Sequence, residues 1–545
     1  MWKGIWTKIK EVFKKMLGNT TLEQKLNITP SISSEMRNAI ELWTDMYQDK
    51  APWLKEPTMA EPIRITSLGL PAMIASEKAR MAVLELKSDI TTPVEIITEE
   101  NPNYTPVNVK EDGTLDISPE PEFITKETPI GDTTRAEYLN KQYQNKIISK
   151  LRNITEFMVA QGGFVIKPYI VFNETSEDKE TASVDMEFDF VHADMFFPLA
   201  FDSANKLIDA AFLQVKTTAE FIYFRIERHT LKGTTCTIQN MAFKKDNTER
   251  TGGNAANMDL GQPIALTEVP EWKDLAPSAV IDGVKQLLFT YLKMPEANTV
   301  DSHSPLGVSG FSRAVKLIEE ADKQYSRMLW EFEGGELAID IDRDAFITDQ
   351  TPDGHMHTRR PIMQERLFRP VDLGDSNTYN VFNPAFRDDS LINGLNTILK
   401  RIEDVCAISR GTLSDVNSDA KTATELKILK QRSYSANVEI QKQVESGLRD
   451  LVYVMDAYCT LYNITPPGEY EMSFEWDDSI LVDINEELNK KITLMQNGLM
   501  SDVEVRMWYC GETEAQATEA LEKIKRQHLK DAEQSMMVEN SAGGF

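Results

Sequence analysis

The sequence predicts an α+β fold that is mainly helical and contains one antiparallel β region. Between residue 163 and about residue 245, apolar residues alternate with polar ones, and this period of two is typical of half-buried strands. A heptad repeat starts at Phe311, and a further helical pattern extends from 422 to about 460. Helical patterns longer than about 25 residues are unusual in compact domains and indicate an element used in assembly.

The charge balance narrows the class of function. The chain of 545 residues has 86 Asp and Glu against 59 Lys and Arg, which gives a net charge of −27. Proteins that grip nucleic acid by neutralising phosphates need clustered Lys and Arg, so this chain is predicted not to bind in that way. The alternative reading is that the acidity only serves solubility.

The cysteine pattern argues against disulfide and zinc sites, and the hydropathy argues against membrane spans and a secretory signal. The cysteines form no C-x-x-C pair, so we predict neither a disulfide framework nor a structural zinc site, and we expect assembly in a reducing cytoplasm. No apolar run reaches the roughly 20 residues that span a bilayer. Lys residues interrupt the apolar stretches near residue 1, so we expect no secretory signal. The four cysteines are Cys236, Cys406, Cys459 and Cys510.

Residues 2–17 have the pattern of a basic amphipathic helix. Such a helix docks on a partner, on its own domain or on a membrane surface, and we expect a role in assembly without membrane binding. One face carries Trp2, Trp6, Ile9, Val12, Phe13, Met16 and Leu17, and around it lie Lys3, Lys8, Lys10, Lys14 and Lys15.

The first half is predicted to combine helices with the β region. Helical spacing is predicted over 33–90, with a Pro-broken segment inside it, and again over 136–160. Residues 92–132 are rich in Pro, Glu and Thr, and we expect a surface insertion or loop there. Within the β region, the pattern predicts strands at 207–217, 220–229 and 234–243, with Gly233 in a turn and a loop over 244–262.

The heptad helix that starts at Phe311 is predicted to end at Gly334-Gly335. About 23 residues at 1.5 Å each make a rod of roughly 35 Å. Its repeat consists of Phe311, Ile318, Tyr325 and Phe332, with Ala314, Ala321 and Met328 three positions after the first three.

Short, Pro-punctuated segments follow over 336–386, and then a second helix with Asp388 or Asp389 as its predicted cap. Turn-favouring residues break the pattern at 409–421. Thr422 and Glu425 have capping-box spacing at the start of the longest helix, and a strand near 470–476 and two further helices complete the chain. The predicted buried face of the second helix carries Leu391, Leu395, Ile398, Ile402 and Val405.

No catalytic signature is complete in this sequence. A G-x-x-x-x-G-K-[ST] motif is missing, so we expect no P-loop ATPase. Gly307-Val308-Ser309-Gly310 resembles a nucleophile elbow, but no predicted strand precedes it, and a helix-start turn is the better reading. The E-x-K triplets at 85–87 and 425–427 are of the nuclease kind, but they are common by chance on charged helices. We therefore predict no enzyme and assign no catalytic or cofactor-binding residue.

Two short patterns suggest metal binding, and both are incomplete. His355-Met356-His357 offers two ligands without a neighbouring third. Asp340-Ile341-Asp342-Arg343-Asp344 resembles the start of an EF-hand loop, but Ala345 stands in the place of the required Gly and Thr351 in that of the closing Glu. The sequence therefore predicts no metal site.

Three long motifs follow one another in the second half: SPLGVSGFSRAVKLIEEADKQYSRMLWEFEGGELAID, DDSLINGLNTILKRIEDVCAISRGTLSDVNSDAKTATELKILKQ and LNKKITLMQNGLMSDVEVRMWYCGETEAQATEALEKIK. Their order resembles that of portal proteins from tailed bacteriophages of Gram-positive bacteria. SLGLPAMIASEKARMAVLE and VHADMFFPLAFDSANKLIDAAF in the first half are also similar to that family, whereas 92–132 and 244–262 lack the resemblance.

The resemblance implies a ring, usually of about twelve subunits, at one vertex of the virion capsid. Through this ring double-stranded DNA is packaged and ejected. In each subunit a wing projects outward, a two-helix stem surrounds the channel, a clip faces outside the capsid, a crown faces inside, and a tunnel loop projects toward the DNA. By position, the resemblance assigns 1–310 to the wing region, 311–336 to a stem helix, 337–386 to the clip, 387–409 to the second stem helix, 410–421 to the tunnel loop, 422–482 to a long wing helix with a returning strand, and 483–545 to the crown.

The resemblance also implies partners and site residues. Partners would be further copies of the chain, DNA bound without sequence specificity, terminase, a major capsid or scaffolding protein and a head-completion or adaptor protein, with no cofactor and no membrane. The DNA-facing tunnel-loop residues would be Arg410, Gly411, Ser414, Asn417, Ser418, Asp419 and Lys421, and the clip contact would use His355, His357, Arg359 and Arg360.

An acidic ring also suits a DNA channel, because such a channel must not bind the DNA tightly. Twelve copies carry a charge on the order of −300, and this repels phosphates. Arg410 and Lys421 are either weak, sequence-independent DNA contacts or ordinary solvated charges. Two rival readings stay open: a non-viral helical scaffold, which heptads alone would allow, and an enzyme such as a nuclease.

Overall fold

The computed structural model divides the chain into two compact units, Met1–Phe474 and Glu475–Phe545. The predicted amphipathic helix at 2–17 lies outside the described residues. The structure describes residues 33–54, 64–84, 86–100, 107–109, 115–117, 123–173, 183–247, 261–342, 348–350, 356–358, 368–371, 379–385, 387–415, 423–476, 484–511, 517–518, 520–521 and 523–524.

Among the described residues, four helices precede Gly163 in unit one, and local signals place their ends. The Ser33 hydroxyl accepts a hydrogen bond from the Met36 amide at 3.2 Å and so caps the first helix. Gly162, in the left-handed region at φ +83°, ends the fourth. The helices are α1 (Ser34–Tyr47), α2 (Leu70–Val83), α3 (Thr134–Lys146) and α4 (Leu151–Gln161).

The segment between α2 and α3 differs from the prediction. The helix predicted through residue 90 ends at Val83, because Ser88 and Ile90 turn inward on a strand and the Ser88 hydroxyl hydrogen-bonds the Tyr143 hydroxyl at 2.9 Å. The insertion at 92–132 is not a loop, since its Val, Ile and Thr residues form antiparallel ribbons. These strands are β1 (Leu86–Thr91), β2 (Val94–Glu100), β3 (Val107–Val109), β4 (Leu115–Ile117) and β5 (Phe123–Pro129), with β2 paired to β5 and β3 to β4.

The predicted antiparallel β region is confirmed and consists of two sheets. Gly233, at φ +63°, lies in the hairpin in which Lys232 pairs with Thr235, as the sequence predicts. The inward face of the larger sheet includes Phe224 and Ile226. The strands are β6 (Gly163–Asn173), β7 (Ser183–His192), β8 (Phe196–Phe201), β9 (Leu207–Thr217), β10 (Phe221–Lys232), β11 (Thr235–Asp246), β12 (Gln262–Ile264), β13 (Ser278–Asp282) and β14 (Thr290–Lys293). The smaller sheet has the strand order β14-β6-β7. The larger sheet has the order β12-β11-β10-β9-β8, and β13 also pairs with β11.

The second half contains the predicted long helices. The heptad helix begins at Val315 and its C-cap is Gly335, close to the predicted bounds. The N-cap of the next helix is Arg387, not an aspartate; Asp388 and Asp389 occupy the first turn, where they favour the helix dipole. The elements are α5 (Val315–Gly334), β15 (Ala338–Asp342), β16 (Thr348–Gln350), β17 (Met356–Thr358), β18 (Phe368–Val371), β19 (Tyr379–Phe382), α6 (Asp388–Val405), α7 (Ala423–Leu461) and β20 (Glu471–Trp476).

The longest helix, α7, supports the core of unit one, where it packs on β14, β6 and α2. Leu448, Val452 and Met455 on its inner face are fully buried, as is Leu292 of β14. The proposed capping box of α7 involves Thr422, which lies outside the described residues.

In the part of unit two that the structure describes, two helices follow one another, α8 (Ile484–Gln496) and α9 (Asp502–Cys510), and helical residues occur again at 517–518, 520–521 and 523–524. A capping box starts α9, since the Glu504 amide donates to the Ser501 hydroxyl at 3.2 Å and the Ser501 amide donates to the Glu504 carboxylate at 2.7 Å. Among the helices that the structure describes in either unit, none has the length and hydropathy needed to cross a bilayer.

Candidate functional site

The helices α5 and α6 pack against each other as a hairpin, and the strands β15 to β19 connect them. At the end nearest these strands, the Arg387 guanidinium binds both carboxylate oxygens of Glu331, with Nε to Oε1 at 3.0 Å and Nη2 to Oε2 at 2.6 Å. This bidentate pair lowers the pKa of Glu331. It fixes the start of α6 beside the last turn of α5.

The opposite end of α5 is anchored in the core of unit one. The Asp322 carboxylate is buried and accepts hydrogen bonds from Trp53 Nε1 and from the Leu68 amide, both at 2.9 Å. Burial raises the pKa of Asp322 despite these donors. One turn further on, the Ser326 hydroxyl accepts from the Thr66 amide at 2.8 Å. The hairpin is thus held at its root by buried polar contacts.

The heptad stripe of α5 is buried at its root and uncovered at its far end. Phe311 and Ile318 are fully buried within the single chain, whereas Phe332 is 42% exposed. Trp330, beside that end, is 56% exposed. The helix therefore presents apolar surface, within the described residues, only over its second half.

One face of α6 is polar and exposed along the whole helix. Asp389, Asn393, Thr397 and Arg401 lie four residues apart, so they fall on one side of the helix, and all four are exposed. The two central side chains are small and uncharged. This stripe offers hydrogen-bonding groups without a concentrated charge.

At the C-terminal end of α6, a buried carboxylate organises the residues that follow. Glu403 is fully buried, and its Oε1 accepts hydrogen bonds from the amides of Gly411, Leu413 and Ser414 at 3.1, 2.6 and 2.9 Å. Its Oε2 accepts from the Ser414 hydroxyl at 2.8 Å. Sequence reasoning missed this residue, because a glutamate near a helix end reads as a solvated charge.

These contacts decide where several predicted tunnel-loop residues lie. Ser414, expected to face DNA, is buried with its hydroxyl on Glu403. Arg410 is half exposed and pairs with both oxygens of Asp404, at 3.0 and 2.8 Å, and this contact raises its pKa. Gly411 adopts φ +88°, which explains the glycine. The other predicted loop residues, Asn417, Ser418, Asp419 and Lys421, lie outside the described residues.

The predicted clip contains five short strands, β15 to β19, in the part that the structure describes. The strand β15 lies between β18, which is parallel to it, and β19, which is antiparallel. His357 lies on β17 and pairs in register with Asp349 of β16. His355, Arg359 and Arg360 lie outside the described residues, so the clip contact through these four residues stays a prediction.

A close backbone crossing positions the start of α5. The carbonyl of Gly162 accepts from the Met294 amide at 3.0 Å, and a Cβ on Gly307 would overlap that carbonyl. Three residues on, the Gly310 amide donates to the Val159 carbonyl at 2.8 Å. The Gly307–Gly310 segment is therefore the helix-start turn that the sequence predicts, and its glycines permit contact with the end of α4.

A buried ionic cluster connects the two sheets, and no sequence pattern predicted it. Lys167 Nζ lies 2.9 Å from both carboxylate oxygens of Glu227, and His229 Nε2 donates to that carboxylate at 2.7 Å. Burial alone would raise the pKa of Glu227, but Lys167, His229 and Arg225 together hold that pKa well below its usual range. Burial lowers the pKa of His229. The cluster is enclosed, so we interpret it as structural.

Among the described residues, no group of three His, Cys, Asp or Glu side chains is placed to hold a metal ion. The extended α5–α6 hairpin, with its anchored root, its connecting strands and the segment held by Glu403, is thus the most distinctive functional feature of the chain.

Comparison with known proteins bears on this hairpin. Residues 297–534 match a protein family described as phage portal protein, SPP1 Gp6-like. The matched range contains α5, the clip strands, α6 and α7, and it leaves residues 1–296 outside. The family resemblance noted in the second half of the sequence is confirmed. No curated protein matches the chain.

Proposed function

We propose that this chain is a phage portal protein, as the match of residues 297–534 supports, and that it forms the ring at one capsid vertex through which double-stranded DNA is packaged and ejected. The observation that carries this proposal is the α5–clip–α6 hairpin inside the matched range. In a closed ring each subunit places the same helices around one axis, and a helix pair of this length makes a wall about 30 Å deep.

We assign the exposed polar face of α6 to the channel. A conduit must not hold its cargo, and affinity for DNA comes mainly from Lys and Arg placed on phosphates. Along this face the side chains of Asn393 and Thr397 carry no charge, and Asp389 balances Arg401. The acidic chain as a whole, at −27, adds a field that repels phosphates.

We assign the uncovered apolar surface at the far end of α5 to contact with a neighbouring copy. Trp330 and Phe332 are exposed in the single chain, and exposed aromatic groups of this size are typical of interfaces. The heptad pattern accounts for Phe332, which continues the stripe that is buried at Phe311 and Ile318. Trp330 lies outside that stripe, on another face of the helix.

The strands β15 to β19 are proposed to be the clip, which docks terminase and head-completion or adaptor proteins outside the capsid. The motivation is position, since these strands connect the far ends of α5 and α6. Terminase would supply the ATPase that drives DNA. Residues 483–545 are proposed to form the crown and the first 310 residues the wing, with assembly in the host cytoplasm.

The native mass of the purified protein tests this function. A closed ring of about twelve copies supports the portal assignment. A monomer or dimer at micromolar concentration, under conditions that keep the protein folded, would favour the rival reading of a non-viral helical scaffold.

A further inference from the structure

The Glu403 carboxylate is a buried charge whose hydrogen-bond donors all come from one short segment, residues 411–414. A buried carboxylate is costly unless it is paired or well hydrogen-bonded. Three backbone amides and one hydroxyl meet that requirement here. The acid and the segment therefore depend on each other: without Glu403, these amides would lose the carboxylate that accepts their hydrogen bonds in a poorly solvated place.

A second contact on the same side of α6 extends this attachment. The Asn396 side-chain carbonyl accepts a hydrogen bond from the Asp415 amide at 2.9 Å. Asn396 and Glu403 are seven residues, or two turns, apart, so they share one face of the helix. Residues 411–415 consequently run back along the last two turns of α6.

The backbone conformation supports the same path. The chain reverses after α6 through Ala407 at φ +54° and Gly411 at φ +88°. The Ile408 amide donates to the Glu403 carbonyl at 3.0 Å, which closes the turn. By contrast, the Arg410–Asp404 pair lies at the surface, and exposed pairs of that kind fix geometry weakly.

We propose that Glu403 is a positioning residue that fixes the base of the DNA-facing loop, residues 409–415, to α6. The proposal rests on the proposed function, in which the segment starting at Arg410 approaches the DNA. Residues 409–415 then move together with α6 as one body. Their contacts with the helix determine the direction in which the chain continues after Asp415. The buried Ser414 is part of the attachment and not a DNA contact.

Hydrogen exchange of the amides 411–415 in the assembled full-length protein tests the attachment directly. Glu403→Ala should accelerate exchange at Gly411, Leu413 and Ser414 by about tenfold or more, as expected from the loss of hydrogen bonds to a charged acceptor. Glu403→Gln should stay close to wild type, because its Oε1 can accept from the amides and its Nε2 can donate to the Ser414 hydroxyl. Asp404→Ala is the matched control, since it removes a neighbouring acid whose carboxylate binds the Arg410 guanidinium, and it should leave the exchange of these amides unchanged.

The same variants are then compared for the amount of DNA retained in filled heads. Glu403→Ala should lower that amount severalfold, whereas Glu403→Gln and Asp404→Ala retain it. Wild-type exchange rates in Glu403→Ala would overturn the attachment. Fast exchange together with normal DNA content would overturn the positioning role but leave the proposed portal function intact. The portal function has its own test, and it fails if the wild-type chain forms no ring.

If Glu403→Ala does not assemble, Ser414→Ala carries the test, because it removes only the hydroxyl bond to Oε2. Faster exchange at Ser414, by about threefold or more, together with a partial loss of retained DNA supports the proposal. Exchange and DNA content both equal to wild type would overturn it.

Discussion

The Arg135 guanidinium is buried and donates to the Asp456 carboxylate at 2.7 Å, which joins α3 to the last turns of α7. The same guanidinium donates to the carbonyls of Asp456, Thr465 and Pro466 at 3.1, 2.8 and 3.0 Å. It thereby connects α7, near the end of that helix, to the segment that follows it at 465–466. A single side chain thus holds the exit of α7 against the N-terminal part of the unit.

This arrangement predicts a large loss of stability for Arg135→Met. The substitution leaves the Asp456 carboxylate and two loop carbonyls without their donor, and we expect the free energy of unfolding to fall by about 3 kcal/mol. Denaturant titration measures the change. Arg80→Met is the control, because Arg80 forms a half-exposed pair with Glu77 within α2, and it should cost about 0.5 kcal/mol. Equal losses for both variants would contradict the assignment.

Gly307→Ala is expected to destabilise the protein by about 2 kcal/mol or more, because the new methyl group overlaps the Gly162 carbonyl and neither backbone can yield cheaply. The matched variant is Gly394→Ala on α6, where the new methyl group meets only the Gln324 amide at 3.5 Å. Alanine there gains about 0.5–1 kcal/mol of helix stability. Thermal melts of the two variants should move in opposite directions, and a neutral Gly307→Ala would show that the crossing is looser than described.

Part of the loss of stability at acid pH should come from His229. Burial lowers its folded pKa below the ordinary value of 6.5, so the unfolded chain binds the proton more readily. Stability from this group is full above pH 6.5 and is lost as the pH falls below it. The groups that face it are Glu227, Lys167 and Arg225, together with the rings of Phe212 and Phe289.

The test compares unfolding free energies at pH 7 and pH 5. His229→Gln should lose less stability than wild type across this interval, by about 1 kcal/mol. Thr230→Ser, which changes a non-titrating neighbour on the same strand, should keep the wild-type slope. An unchanged slope in His229→Gln would show that other groups account for the loss.

The channel assignment of α6 predicts that added positive charge on its exposed stripe slows DNA. Asn393→Lys combined with Thr397→Lys should make the ring bind double-stranded DNA in a salt-dependent way and reduce packaging, because each ring gains a dense set of phosphate partners. The same positions changed to Glu should add no binding. Ser278→Lys, on an exposed strand of the larger sheet, is the control for net charge. Packaging equal to wild type in the double Lys variant would place the stripe away from the DNA.

The clip assignment predicts that charge reversal at Arg359 and Arg360 weakens terminase or adaptor binding and leaves ring assembly intact. In a symmetric ring even weak contacts multiply, so losing one per subunit has a large effect on avidity. A pull-down with terminase and the native mass of the variant measure the two properties. Undiminished partner binding would remove these residues from the contact.

The sequence predicted the elements that have a strong period and missed those that depend on distant partners. The heptads from Phe311 and the alternation in β7 and β10 identified a helix and strands, because one buried face imposes a regular spacing on the chain. The strand β1 was mistaken for helix, since the cause of its conformation, the contact of Ser88 with Tyr143, lies 55 residues away. The ribbon of β2 and β5 was mistaken for a loop for the same reason.

The sequence predicted where in the chain the candidate site lies, but it did not predict the contacts that the residues of the site make. The turn-rich composition of 409–421 identified a break between helices, and turn propensity implied a free, polar loop. Residues 411–414 do not meet that expectation, because four hydrogen bonds to the buried Glu403 carboxylate hold their conformation. No local pattern in the sequence distinguishes this glutamate from Asp404 beside it, which pairs with Arg410 near the surface.

The central claim, that copies of this chain form a ring whose channel is walled by α6, is tested most directly by averaged electron-microscope images of the assembled protein at side-chain resolution. We expect a closed ring of about twelve copies with an open axial channel, onto which Asn393 and Thr397 project. We also expect neighbouring copies to cover Trp330 and Phe332. A ring whose axis is lined by other elements, or an assembly without an axial channel, would contradict this claim.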